Sequence, residues 1–350
     1  MSIEEFQEIA HTGGKITFVH HPEQGTAIQI QHSNPWAFSM HQVCVSFEGE
    51  ILDFVPPGGI GSIIPYPQPS ILAFVISDRE GFYGRQCPEC NTYFRSNFLT
   101  SKTTCAYCGR KNRGIEFLTK NQLQFIQLFC NGFIEANKTC KTIEVDLDDL
   151  IEDLDENQPR WVYTEERQQS KHNCPNCRCI YDILGDYGIC PCCGVSNFKS
   201  VVVKKFAEFE QQFTYVDTTV TERYEREIEW EKLMRCVSEF EAFANTVRTQ
   251  LLTIPLIPQR RADLSRVGFQ KIINTSEQIE RWFGIKILEG LNNEDRSFLN
   301  KMFNRRHVFT HNGGRVDQEY LDNTGDVSVR INQVIRLHSG VFQASCRVSC

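Results

Sequence analysis

RQCPECNTYFRSNFLTSKTTCAYCGRKN, residues 85–112, is the stretch whose reading decides the fold of the first half of the chain. It holds two C-x2-C pairs, Cys87/Cys90 and Cys105/Cys108, with fourteen residues between them. A tight turn between paired cysteines brings two thiolates to one ion from neighbouring corners of a tetrahedron, so two such turns close a four-sulfur site. The pattern returns in HNCPNCRCIYDILGDYGICPCCG, residues 172–194, where Cys174/Cys177 and Cys190/Cys193 are separated by twelve residues.

Gly109 and Gly194 each follow the last cysteine of their stretch, a position suited to the left-handed backbone of a knuckle turn. Cys179 and Cys192 lie inside the second stretch and compete as ligands; spacing alone assigns Cys174, Cys177, Cys190 and Cys193. Both stretches resemble zinc ribbons, which implies two structural Zn2+ ions. A catalytic zinc keeps three protein ligands and an open position, so four thiolates per site imply closed centres and no catalytic metal.

With 350 residues, and domains running about 100 to 200 residues, the chain has room for two or three units. Sixteen cysteines, half of them in C-x2-C pairs, argue for metal binding in a reducing compartment over a secreted disulfide scaffold. The opening MSIEEFQEIAHTGGK has no apolar core behind a basic flank, and no stretch approaches the roughly 18 to 20 apolar residues that span a bilayer. A cytoplasmic protein without a membrane partner is the expectation. The net charge of −7 argues against a surface uniformly coated for nucleic acid.

Patterning divides the chain into an α+β multidomain protein. Residues 1–80 carry short β-rich runs broken by turn residues such as Pro56-Pro57-Gly58-Gly59 and predict a β-rich domain of unknown role. The first ribbon covers 81–114. Residues 115–170 hold a helix over Phe117–Ile134, an acidic amphipathic segment over 144–156 and a linker, and 171–200 the second ribbon. From 201 to 350, sparse glycine and proline and 3.6-residue apolar periodicity predict an all-α bundle. Its helices are expected near 201–216, 221–253, 267–282, 294–311 and 329–345.

Two basic clusters stand out against the acidic average. Around the first ribbon, Arg85, Arg95, Lys102, Arg110, Lys111 and Arg113 interleave with Tyr93, Phe94, Phe98 and Tyr107. Such a surface can hold single-stranded nucleic acid, or the aromatics can simply pack the small ribbon core. The second cluster is NKMFNRRHVFTHNGGRVDQEYL, residues 300–321, with Lys301, Arg305, Arg306, His307, His311 and Arg315 ahead of the first acid, Asp317. Arginine grips phosphate with a forked pair of donors, and histidine passes protons near neutral pH; together they can cleave RNA without a metal, using the ribose 2′-hydroxyl as nucleophile.

The spacing Arg306-x4-His311, with His307 beside the arginine and RRHVFTHNGG around it, resembles the R-x4-6-H motif of HEPN ribonucleases over roughly residues 201–350. The resemblance implies an HEPN-like helical bundle and an endoribonuclease of bacterial defence or toxin systems that leaves a 2′,3′-cyclic phosphate. It implies His311 as general acid or base, Arg306 as phosphate stabiliser and His307 as its assistant, with Lys301, Arg305 and Arg315 binding substrate. Residues five apart on a straight helix point about 140° apart. HEPN proteins meet this by dimerising so that two motifs converge, which implies a homodimer; an antitoxin or trigger protein is a further expected partner.

Other readings stand beside it. Arg306 and His311 could cap the C-terminus of their own helix. The chain could be a non-catalytic zinc-ribbon adaptor that dimerises and binds nucleic acid or protein. The acidic segment, through Asp148, Asp149, Glu152 and Asp153, could cover the 301–315 cleft at rest.

Overall fold

The computed structural model describes residues 8–11, 14–23, 25–32, 39–55, 67–147, 164–219 and 224–335. The chain divides into two compact units, Met1–Asn197 and Phe198–Cys350.

In the first unit, β2 (Gly14–His21) lies between β3 (Gly25–His32) and β11 (Ile143–Asp146), and β4 (Met40–Val45) lies between β5 (Ile51–Phe54) and β6 (Ile71–Ile76). A short antiparallel pair joins β1 (Glu8–His11) to β12 (Thr164–Glu166). Helix α1 (Lys120–Thr139) packs on this β layer. Its start is written locally: the Thr119 hydroxyl accepts the Gln122 N–H and the Gln122 side chain accepts the Thr119 N–H, a capping box. Its buried face, Phe125, Ile126 and Phe129, meets Ile16, Phe18, Val43 and Phe74 in one core. Phe74 sets its ring edge-on to Phe125 at 5.4 Å and to Phe129 at 5.1 Å. Gly132 permits this closeness, because a Cβ there would lie 2.5 Å from the Phe18 ring.

The helix expected over Phe117–Ile134 therefore starts and ends a few residues later, and it completes the β-rich body rather than linking it to something else. The beginning of the acidic segment does the same: Ile143–Asp146 pairs with β2, and Leu147 is fully buried. The rest of that segment, Asp148, Asp149, Glu152 and Asp153 included, falls outside the described residues.

The two cysteine stretches are not independent modules. Strands β7 (Tyr83–Gln86) and β8 (Tyr93–Ser96) flank the first knuckle; β13 (Ser170–Asn173) and β14 (Ile180–Ile183) flank the third. These four form one antiparallel sheet in the order β13-β14-β8-β7, through Tyr181 opposite Ser96 and Asp182 opposite Arg95. Opposite them, β9 (Lys102–Thr104) and β10 (Lys111–Arg113) flank the second knuckle. The Thr104 N–H donates to Pro191 O and the Ile189 N–H to Ala106 O, tying this hairpin to the fourth knuckle. One core of Phe94, Ala106, Phe117, Tyr181 and Ile183 lies between the two clusters.

Arg95 crosses the shared sheet fully buried. Its guanidinium meets Asp78 at 2.5 Å, Glu80 at 2.6 Å and Asp182 at 2.6 Å. Arg85 is buried as well and donates to Gly114 O. Neither arginine is part of an exposed nucleic-acid surface.

The second unit is helical: α2 (Phe198–Thr219), α3 (Glu225–Leu252), α4 (Pro258–Arg266), α5 (Ile272–Phe283), α6 (Asn293–Asn312) and α7 (Gln318–Thr324). Four expected helices are found within a few residues. The fifth is not formed over 329–335, where the chain turns through Asn332 at φ 65° and bridges Val334 to Arg315. The β-branched run Val329, Ile331, Val334 and Ile335 suits that extended path better than a helix; positions 336–345 lie outside the described residues.

Candidate functional site

Each cysteine pair is presented by the same backbone loop. The first cysteine donates its N–H to the carbonyl five residues on: Cys87 to Thr92, Cys105 to Arg110, Cys174 to Cys179 and Cys190 to Val195. The residue four positions on donates back to that cysteine's carbonyl from a left-handed conformation: Asn91 at φ 55°, Gly109 at 73°, Arg178 at 61° and Gly194 at 76°. Glycine takes this backbone freely; Asn91 and Arg178 carry strain that the closed loop holds in place.

The loops bring the expected ligands together. Sulfur separations are 3.7 Å for Cys87–Cys108 and Cys90–Cys105, and 3.5 Å for Cys174–Cys193 and Cys177–Cys190. A tetrahedral ion with metal–sulfur bonds of about 2.3 Å needs sulfur–sulfur edges of about 3.8 Å, so both clusters could hold a structural metal ion. Cys105 and Cys108 also show how the loop serves a thiolate, since the Tyr107 and Cys108 N–H groups point at Cys105 Sγ at 3.4 Å. Around the first cluster, Phe94 and Tyr107 pack edge-to-face in the core and Phe98 is half exposed, so the exposed basic side chains there are Lys102, Arg110, Lys111 and Arg113.

The second unit places the arginine–histidine motif on α6. Asn292 caps its start by accepting the Asp295 N–H, and Gly313 and Gly314, both left-handed, end it with the Gly314 N–H on Val308 O. Backbone groups thus supply this C-terminal cap. His307 and His311, one turn apart, are exposed with ring centroids 4.5 Å from each other. Arg306 turns the other way, half-buried against α3, with Nη2 3.2 Å from Glu241 Oε2. Arg306 Nε and Glu241 Oε1 are buried without hydrogen-bond partners among the described residues. The regular helix keeps Arg306 and His311 on different faces; the structure brings the two histidines together, not the arginine and His311.

The expected substrate contacts divide. Arg315 is exposed. Arg305 is buried: its Nε donates to the Tyr320 hydroxyl at 3.2 Å and its Nη2 to Asp326 at 3.1 Å, while the Tyr320 hydroxyl donates to the same carboxylate at 2.7 Å. Lys301 reaches the other Asp326 oxygen at 3.2 Å. Arg305 and Lys301 therefore fasten the segment after α7 to α6. Glu241 and Asp326 went unseen in the sequence, since neither has a local motif and each lies well away along the chain from the arginine it meets.

Burial works to raise the Asp326 carboxyl, but hydrogen bonds from Ser328, Tyr320 and Arg305 outweigh it and hold the group far below its ordinary 3.8. A depressed carboxylate contributes stability that is present above its ordinary value and is lost as the pH falls through the folded-state value. The helical unit is therefore expected to lose melting temperature below about pH 4. Asp326→Asn, already deprived of the charge, should show a flatter dependence in the same window; parallel slopes in thermal melts would exclude Asp326 as the cause.

No known protein family, curated protein or solved structure matches the chain. Among the described residues, no helix is long and apolar enough to cross a membrane.

Proposed function

We propose that this chain is a metal-independent endoribonuclease of HEPN type, a cytoplasmic effector of bacterial defence or toxin systems, whose two cysteine clusters carry structural zinc. The observation that carries the reading is the exposed pair His307 and His311, two imidazoles at 4.5 Å that follow Arg306 directly on α6. Two neighbouring imidazoles can take the proton of a ribose 2′-hydroxyl and return one to the 5′-oxygen leaving group. Arg306, paired with Glu241 at rest, would serve the phosphate once that ion pair opens. Because Arg306 and His311 occupy different faces of α6, a complete site requires a second copy, and the homodimer is part of the proposal. An antitoxin or trigger protein remains the expected partner.

Incubating the full chain with mixed RNA should give products ending in 2′,3′-cyclic phosphate, with DNA untouched. His311→Ala should lower the rate by about 10²–10⁴, the usual contribution of a positioned proton-transfer group. His311 is exposed, so the variant should keep the wild-type circular dichroism spectrum. Wild-type activity in the folded variant would sink the assignment. The exposed Lys102, Arg110, Lys111 and Arg113 favour a second reading, a non-catalytic adaptor that binds nucleic acid through its ribbons. RNA retention without cleavage, unaffected by His311→Ala, would support it.

A further inference from the structure

The second ribbon holds two more cysteines than a four-sulfur site needs. Cys179 and Cys192 place their sulfurs, together with that of Cys190, within 4.8 Å of one another. Cys179 and Cys190 are fully buried, and Cys192 is partly exposed.

The knuckle loop does not require sulfur at these positions. In the first ribbon, Thr92 occupies the place of Cys179 and Tyr107 that of Cys192, and the loops close with the same hydrogen bonds. Nor does either extra thiol stand alone, since both converge on Cys190, which also belongs to the Cys174/Cys177/Cys190/Cys193 set.

We infer that Cys179, Cys190 and Cys192 form a second thiolate site next to that four-cysteine centre, with Cys190 bridging two closed-shell thiophilic ions. It rests on the second ribbon being metallated and is independent of the nuclease reading. Three soft sulfurs select d10 ions such as Zn(II), Cd(II) or Cu(I) over hard cations. Four thiolates around one divalent ion carry two net negative charges; ionising two more thiols doubles that, and a second divalent ion restores it. Each coordinating thiol gives up its proton to solvent as the ion binds, with no change of oxidation state.

Access and charge fit the same picture. Cys192 and Cys193 line an open groove of about 510 Å³ shared with Lys102, Thr104 and Lys111. The groove gives an ion a path to Cys192 and sets ammonium groups beside the cysteine cluster. The first ribbon, without extra cysteines, is the internal control.

Cadmium is the probe. The full chain, purified without metal and loaded with cadmium-113, should hold three ions by native mass spectrometry. Two of the three NMR signals should be mutually coupled through the shared sulfur. Cys179→Ser/Cys192→Ser should bind two ions and lose the coupling, and Cys192→Ala alone should suffice to lose the third ion if the double variant does not fold. Two uncoupled ions in the wild type would overturn the bridged site while leaving both structural centres intact; fewer than two would remove the metallated ribbon on which it rests.

Discussion

Stripping metal from the two cysteine clusters is expected to unfold the ribbon pair while the helical unit stays folded. The reason is the poverty of the core between the clusters: beyond the cysteines it contains little more than Phe94, Ala106, Phe117, Tyr181 and Ile183. A structural zinc contributes about 10–16 kcal/mol of apparent binding free energy at neutral pH. A whole domain is stable by only about 5–15 kcal/mol. Loss of an ion held there would thus exceed what the remaining contacts supply, and would leave four sulfurs packed at 3.5–3.7 Å with no cation between them. Hydrogen exchange of the metal-free chain should show collapse of protection over Tyr83–Ser96 and Ser170–Ile183, with α6 unchanged. Full protection over those strands after verified removal would show that the ribbons stand without metal.

Arg95→Met should cost the first unit about 3–5 kcal/mol, the range for removing one partner of a buried ion pair. The substitution leaves Asp78 and Asp182, both fully buried, facing each other without the cation between them. Burial already pushes the Asp78 carboxyl above its ordinary value in spite of Arg95, so the loss is met by protonation, which restores neutrality but not the hydrogen bonds. Glu80 behaves oppositely: burial raises it, but Lys171 and Arg95 outweigh this and bring it down to about 2. Its contribution is present above the ordinary 4.5 and is lost as pH falls towards that lower value. Arg95→Lys should recover little, because one ammonium cannot serve three carboxylates in the plane that the guanidinium spans. Urea titrations read the change directly, and a midpoint within error of the wild type would refute the role given to Arg95.

Local chemistry was legible in the sequence and long-range pairing was not. The two four-cysteine clusters followed from the C-x2-C spacing, and Gly109 and Gly194 announced left-handed knuckle positions. Asn91 and Arg178, in the same backbone state, gave no sign of it, because the loop rather than the residue enforces the conformation. Apolar periodicity placed α2, α3, α5 and α6 well, since a 3.6-residue repeat is a property of one segment. Arg85 and Arg95 were read as surface charges, because a sequence reports charge and not burial. Their partners Gly114 and Asp182 lie 29 and 87 residues away. The motif Arg306-x4-His311 was visible, yet the separation of its two ends onto different faces needed the observed continuity of α6 through Asn312.

The sheet shared by the ribbons also sets an order of events during synthesis. The four cysteines of the first cluster are complete once Cys108 has emerged, so its two knuckles can close early around an ion. Strand β8 must then wait for β14, and Arg95 for Asp182, which is made 87 residues after Arg95 itself. Through that interval the nascent chain carries an unpaired strand edge and an arginine with only its upstream carboxylates. This is the state in which the edge could pair with another chain instead. A chaperone or a slow-translating stretch acting on this protein would find its target there, between the first ribbon and the second.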